Sequence, residues 1–321
     1  MPYSEKRRQE IIELIKIYGR EETAKRLGIT GETIRRLCRL VNQKEVNKEF
    51  IPNGYLKKIG EIYSPSELRA IAEGGRILPG IDPVPIIDFE GRRIRIGAFT
   101  DTHIGHQKFS ALRFEQMLEE FRKEKVDILT HCGDVTEGMH TSRPGQIYEL
   151  DFLGYDQQKA EAIRLFSQWT ETDIYAIDGN HDRWFLKGNG ALIVKDIAAA
   201  LTNFHFIGHD EGNISIGGKA TLRLFHGEDS SSYALSYRVQ KIIEAITGGE
   251  KPSVMFCGHT HKYVKIFERN IHAISLGCME EQTSWMRGKR LAAHVGFCIV
   301  DIYIGKNGVT KFTDTFYPFY A

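Results

Sequence analysis

Apolar positions along residues 93–201 follow two rhythms. Residues 93–100, 127–131 and 174–177 are short apolar runs, and each predicts a buried strand. Residues 109–124, 156–170 and 191–201 space their apolar side chains at the helical period and predict helices between those strands. Beyond Leu201 the segments become short and alternating, at 214–216, 221–226, 254–257, 263–268, 273–276, 296–304 and 309–316. Gly217-Gly218 and Lys306-Asn307-Gly308 read as hairpin turns between them. A βαβ first half followed by a strand-rich second half predicts an α/β class with a two-sheet core and helices outside.

The first 41 residues have a helical pattern of their own. Residues 5–18 carry a dense stripe of Ile11, Ile12, Leu14, Ile15 and Ile17, ended by Tyr18-Gly19. Residues 21–27 and 32–41 follow, separated by Gly28-Ile29-Thr30-Gly31. Small Ala24, a turn at Gly28, and Ile29, Ile34 and Leu37 closing a small core resemble the helix-turn-helix of transcriptional regulators and recombinases. That resemblance implies DNA binding, with Thr33, Arg35, Arg36 and Arg39 on the exposed face of the third helix reaching phosphates or guanine edges, and a homodimer. The alternative is a docking domain whose arginines merely solvate it. Ser64, as N-cap, and Pro65 start a short helix that ends at Gly74-Gly75, and Pro79, Gly80, Pro83 and Pro85 mark a semi-rigid linker. The expected division is a helix-turn-helix over 1–45, a linker over 46–92 and a catalytic domain over 93–321.

Charge sharpens that division. Residues 1–60 hold 14 Lys and Arg against 8 Asp and Glu, a net of +6, leaving −5 for the rest. The five cysteines form no C-x-x-C and sit mostly in apolar segments, as expected of reduced, buried thiols in a cytoplasmic protein. Residues 1–10 are polar and no apolar run approaches the ~20 residues of a membrane span, so no membrane partner is expected.

The chemistry lies at the strand ends. Asp101, His103, Asp134, Asn180, His181, His226, His259 and His261 each follow an apolar run, where a sheet edge can hold ligands around one point. Five imidazoles, two carboxylates and an amide exceed what one metal needs and suit two divalent ions sharing a carboxylate. Asp-x-His, Gly-Asp, Gly-Asn-His-Asp, a lone His-Gly and Gly-His-x-His, in this order over residues 101–261, resemble the five signature motifs of the calcineurin-like metallophosphoesterase superfamily.

That resemblance implies a four-layer αββα fold and a two-metal phosphoester hydrolase, most simply a phosphodiesterase or nuclease acting on DNA, as in phage and prokaryotic members. It assigns Asp101, His103 and His261 to one metal and Asn180, His226 and His259 to the other, with Asp134 bridging. Mn²⁺ is the favoured ion, with Fe or Zn²⁺ compatible. The ions would generate a hydroxide for in-line attack, His181 would assist the leaving oxygen, and Asp182 would orient His181. Arg183-Trp184 could wall a nucleotide base or pack the loop, and His106 could touch substrate or solvent. His140 and Arg143-Pro144 resemble, at a different spacing, the loop after the second motif of double-strand-break repair nucleases, which implies substrate contact. Glu280, Glu281, Trp285, Arg287, Lys289 and Arg290 make a charged, aromatic-bearing loop long enough to reach a substrate, with a solvated loop the default reading. Competing readings are a phosphomonoesterase, a phosphoprotein or cyclic-nucleotide phosphatase on the same site, and a non-catalytic DNA-binding regulator.

Overall fold

A computed structural model describes residues 5–31, 33, 86–87, 91–227 and 234–320. The chain divides into two compact units, residues 1–77 and 78–321. In the first, helix α1 (Glu5–Leu27) is broken at Gly19, whose φ of 76° and ψ of 170° suit a residue without Cβ. The Thr23 hydroxyl donates to the Leu14 carbonyl across the break (3.0 Å), and Ile11 and Thr23 are buried. A second break follows at Gly28, and Thr30 Oγ1 accepts from the Thr33 amide (3.3 Å), capping a helical turn that begins at Gly31. The two breaks fall where the glycines lie. Thr33 itself is half-buried and shares a hydroxyl contact with Thr30 (2.9 Å). Arg35, Arg36, Arg39, Cys38, the helix expected from Ser64 and the linker prolines lie outside the described residues.

The second unit contains strands β1 (Ile86–Ile87), β2 (Arg93–Phe99), β3 (Ile128–Cys132), β4 (Ile174–Asp178), β5 (Phe204–His209), β6 (Glu211–Ile216), β7 (Ala220–Phe225), β8 (Val254–Cys257), β9 (Tyr263–Glu268), β10 (Ile271–Leu276), β11 (Gly296–Gly305) and β12 (Gly308–Pro318). Helices α2 (Ala111–Glu124), α3 (Gly154–Phe166), α4 (Arg183–Asn189), α5 (Ile193–Ala200), α6 (Tyr237–Ala245) and α7 (Ser284–Gly288) connect or follow them. One sheet runs β12-β11-β2-β3-β4-β5, the other β1-β6-β7-β8-β10-β9. In the first, β2 to β5 are parallel; in the second, β7, β8 and β10 are parallel. Ile86 and Ile87, within the stretch expected to be linker, pair with Ser215 and Ile216.

Strand alternation explains the layers. Ile94, Ile96 and Ala98 of β2 face the other sheet and meet Leu222, Leu224, Val254, Phe256 and Ile274 in one core. Phe99 faces the opposite way and packs with Phe114, Phe121, Leu165, Phe166 and Ile197 of α2, α3 and α5. On the outer face of the second sheet, Val239 and Ile243 of α6 cover Met255, Cys257 and Ala273. The result is the expected αββα arrangement. Strand β5 is absent from the sequence pattern because His205, Gly208 and His209 interrupt its apolar residues. A register shift between Ala176 and Ile177 accommodates it, with Phe206 packed on the helix-side core and Ile207 on the inter-sheet core. Helix α6 is equally hard to read from the sequence, because only Val239 and Ile243 are buried on its single covered face.

Candidate metal centre

The carboxyl ends of parallel strands in both sheets converge on one point, the usual place for chemistry in sheets of this kind. Asp101 and His103 follow β2, Asp134 follows β3, Asn180 to Asp182 follow β4, His226 follows β7, and His259 and His261 follow β8. Their backbones are unusual. Among the described residues ten non-glycine residues have positive φ, and five are Asp101, His103, Asp134, His259 and His261. Side chains rarely adopt this region, so its concentration at one place marks a built site. Lateral bonds hold it: the His103 amide donates to the Asp134 carbonyl (3.1 Å), and the His259 amide to the Asp101 carboxylate (3.0 Å). Gly179 lets the loops close, since a Cβ there would lie 2.2 Å from Asp134 Oδ1 and 2.7 Å from His226 Nε2.

Three clusters that could hold a metal result: Asp101 with His103 and His261, Asp134 with His226 and His259, and His103 with Glu137 and His181. In the first, His261 Nε2 lies 3.2 Å from Asp101 Oδ1 and 3.2 Å from His103 Nε2. In the second, Asn180 Oδ1 lies 3.2 Å from His226 Nε2 and 3.0 Å from His259 Nδ1. Asp134 Oδ2 stands between, 3.1 Å from His226 Nε2 and 3.8 Å from His103 Nε2. All seven residues that the motif resemblance names as ligands are therefore brought together.

The donor set fits divalent cations. His103 Nδ1 lies 2.8 Å from Glu137 Oε2, and His226 Nδ1 lies 2.7 Å from the Cys132 carbonyl. With each Nδ1–H donating to these acceptors, each Nε2 presents its lone pair toward oxygens that are themselves acceptors, an arrangement that needs positive charge. The electrostatics express the same demand. Burial opposes ionisation of Asp101 and Asp134, yet His261 and His103 hold the first well below the usual carboxylate range, and His226 and His181 lower the second. Burial disfavours the His226 cation, but Asp134 outweighs it and raises that imidazole to about 9.

Glu137 is the residue that motif reading missed. It is buried, its Oε2 lies 2.8 Å from His103 Nδ1 and 3.1 Å from His181 Nδ1, and its Oε1 accepts from Gln146 Nε2 (2.8 Å). Its position three residues after Asp134, on the same loop, was the available signal. The expectation that Asp182 orients His181 is corrected. The Asp182 carboxylate accepts from the amides of Gly179 (3.0 Å), Val135 (3.0 Å) and Thr136 (2.8 Å) and from the Thr136 hydroxyl (2.8 Å), so it joins two loops. Burial and the Asp134 charge push Asp182 up to about 7, against those donors. The His181 imidazole is held by Glu137: its Nδ1 lies 2.8 Å from the Glu137 carbonyl oxygen. Burial disfavours the His181 cation, but Glu137 and Asp134 outweigh it and raise its pKa.

Other residues separate. Arg183 is buried and pairs with Asp178 (3.3 Å) and Asp210, so it packs the loop. Trp184 lies over His181 with ring centroids 3.9 Å apart and the planes tilted by 32°, the His140 ring lies 5.2 Å from Trp184 and the Arg143 guanidinium 5.4 Å. His106 and Glu280 are both buried, 3.1 Å apart, so His106 is not a surface residue and Glu280 is not solvated. Cys132, Cys257, Cys278 and Cys298 are free and buried, and among the described residues no helix is long and apolar enough to cross a membrane.

No curated protein matches the chain. Among solved structures it is similar to an archaeal phosphodiesterase, at 17% identity over 70% of this chain and 100% of that one, with a TM-score of 0.41. It is also similar to vacuolar protein sorting 29 from Cryptosporidium parvum, at 12% identity over 71% and 100%, with a TM-score of 0.38. The family described as the calcineurin-like phosphoesterase superfamily domain matches residues 94–302, the span that holds every strand-end ligand. Motif order, layered sheets and that match agree, and the chain belongs to the calcineurin-like phosphoesterase superfamily, hydrolases of phosphoester bonds.

Proposed function

We propose that the protein is a two-metal phosphodiesterase that cleaves DNA, with the N-terminal unit as a DNA-binding helix-turn-helix. The observation that carries the hydrolytic part is Asp134 standing between two ligand groups while His181 lies beside them with Nδ1 committed to Glu137. Asp101, His103 and His261 would hold one divalent ion and Asn180, His226 and His259 the other, with Asp134 placed to serve both. Bound there, two such ions polarise a phosphoryl oxygen and lower the pKa of water toward roughly 7. Mn²⁺ suits this oxygen and imidazole set, as do Fe and Zn²⁺. His181 presents Nε2 to the leaving oxygen and supplies its proton, a contribution typically worth ~10²- to 10⁴-fold. His140 and Arg143, gathered at Trp184 beside His181, form the rim toward the leaving group and contact substrate there.

Support for DNA is the net +6 of residues 1–60 and the helix breaks at Gly19 and Gly28. A homodimer would let two such heads read paired half-sites. The net −5 of the remaining chain favours a second reading, hydrolysis of a small phosphomonoester or phosphoprotein, because a nucleic-acid channel is normally basic. One panel separates them: metal-reconstituted protein with single- and double-stranded DNA, bis-p-nitrophenyl phosphate and p-nitrophenyl phosphate. DNA and the diester should be cleaved and a chelator should stop both. If every form of DNA is untouched while the monoester turns over, the nuclease reading is lost.

A further inference from the structure

A hydrogen bond at one nitrogen fixes where an imidazole is, but not how its plane is turned. His181 has its Nδ1 bond to Glu137 at one corner, and the ring is free in principle to swing about that axis. Two other rings prevent it. The His103 ring meets His181 at 90° with centroids 4.6 Å apart, and the Trp184 indole lies over it at 3.9 Å and 32°. His103 is one of the metal-binding residues, so its position answers to a different requirement. Trp184 is the wall that is not itself a candidate metal ligand.

The indole is itself seated from both motif loops. Its amide donates to the His181 carbonyl (3.1 Å), which places it one turn along the same bend. From the other loop, Gly138 lies so close that a Cβ would come within 2.2 Å of the His181 carbonyl oxygen and 3.2 Å of Trp184 Cε3. Gly138 has a φ of 70°, and its amide and carbonyl are bonded by Gln158 Oε1 (2.8 Å) and Nε2 (3.1 Å), so this seat is rigid. His140 meets the indole edge-on and Arg143 lies above it.

We propose that Trp184 is a positioning residue for leaving-group protonation, its indole holding the His181 imidazole with Nε2 aimed at the departing oxygen. This rests on the hydrolase reading above. Its consequence is selective: a misaimed His181 harms esters whose leaving group needs a proton, and spares relatively those whose leaving group departs as a stable anion.

The test is the ratio of kcat for a dinucleotide, whose leaving group is an alkoxide, to kcat for bis-p-nitrophenyl phosphate, whose leaving group is a stable phenolate. In Trp184→Leu this ratio should fall by about tenfold, within reach of the ~10²- to 10⁴-fold that such proton transfer supplies. Trp184→Phe should recover most of it, and Trp184→Leu should cause no further fall in a His181→Ala background. Equal losses on both esters, or an undiminished fall without His181, would overturn the proposal. Indole emission gives a readout that needs no turnover. An imidazole packed against the indole alters its emission, so at a single pH the emission of His181→Ala should differ from that of wild type, and the difference should vanish when the same change is made in Trp184→Phe. Identical emission profiles for wild type and His181→Ala would overturn the clamp alone, whereas wild type that hydrolyses neither ester would overturn the function proposed above.

Discussion

Glu137 carries two loads at once, one imidazole in the first ligand group and the imidazole beside it, and Gln146 fixes its remaining oxygen. Partners of metal-binding imidazoles set their tautomer and orientation, and their loss commonly costs about 10- to 100-fold in affinity. Glu137→Ala should therefore weaken Mn²⁺ binding by roughly that factor in a calorimetric titration. His131 makes a different demand. Its Nε2 lies 3.0 Å from the Thr102 hydroxyl, which donates to the Val135 carbonyl (2.8 Å), and its Nδ1 has no partner, so the buried ring is neutral. Burial pushes its pKa from 6.5 down to about 3. An unfolded chain takes up this proton as the pH drops below about 6.5 while the native chain does not, so stability is full above that value and is lost as the pH falls toward 3. His131→Gln should flatten the fall of Tm between about pH 6.5 and about pH 4 relative to wild type, the upper part of that window; an unchanged slope would remove His131 as its source.

At the scale of elements, the parallel strands β2, β3 and β4 deliver three loops side by side, and the Asp182 carboxylate ties the last two together. The closeness of those loops depends on Gly179. Gly179→Ala would push a methyl group against Asp134 Oδ1 and the Asp134 backbone amide, so the two loops would have to move apart. The expected result is loss of at least half the bound metal, counted by elemental analysis of purified protein, with folding of the sheets intact by circular dichroism. Full metal occupancy in that variant would show that the loops relax more easily than their contacts imply.

For the whole molecule, the uneven charge predicts a salt-dependent division of labour. If the basic N-terminal unit binds DNA, removing residues 1–60 should weaken binding and flatten the slope of log Kd against log salt by about one for each phosphate that the unit neutralises. Fluorescence anisotropy at several salt concentrations checks this with a duplex probe. Superimposable isotherms would assign these helices to protein docking. Turnover of bis-p-nitrophenyl phosphate, a substrate too small to span a second unit, should survive the truncation.

Much of the catalytic unit was legible from local pattern alone. The alternation of short apolar runs with helical stripes determined the class of fold, because burial of strand faces and helix stripes leaves few other solutions. The candidate ligands were legible because five motifs place polar residues at strand ends in a fixed order, as at Asp101, Asn180 and His261. Tertiary structure alone decided who supports them. Glu137 lies beside one motif and Asp182 ends another, and nothing local says that the first reaches two imidazoles while the second is consumed by the amides of Gly179, Val135 and Thr136. Trp184 likewise reads as a loop aromatic until the approach of Gly138 seats it on His181. Apolar periodicity and motif order are properties of neighbours along the chain, whereas these contacts arise between loops that only the closed pair of sheets brings together.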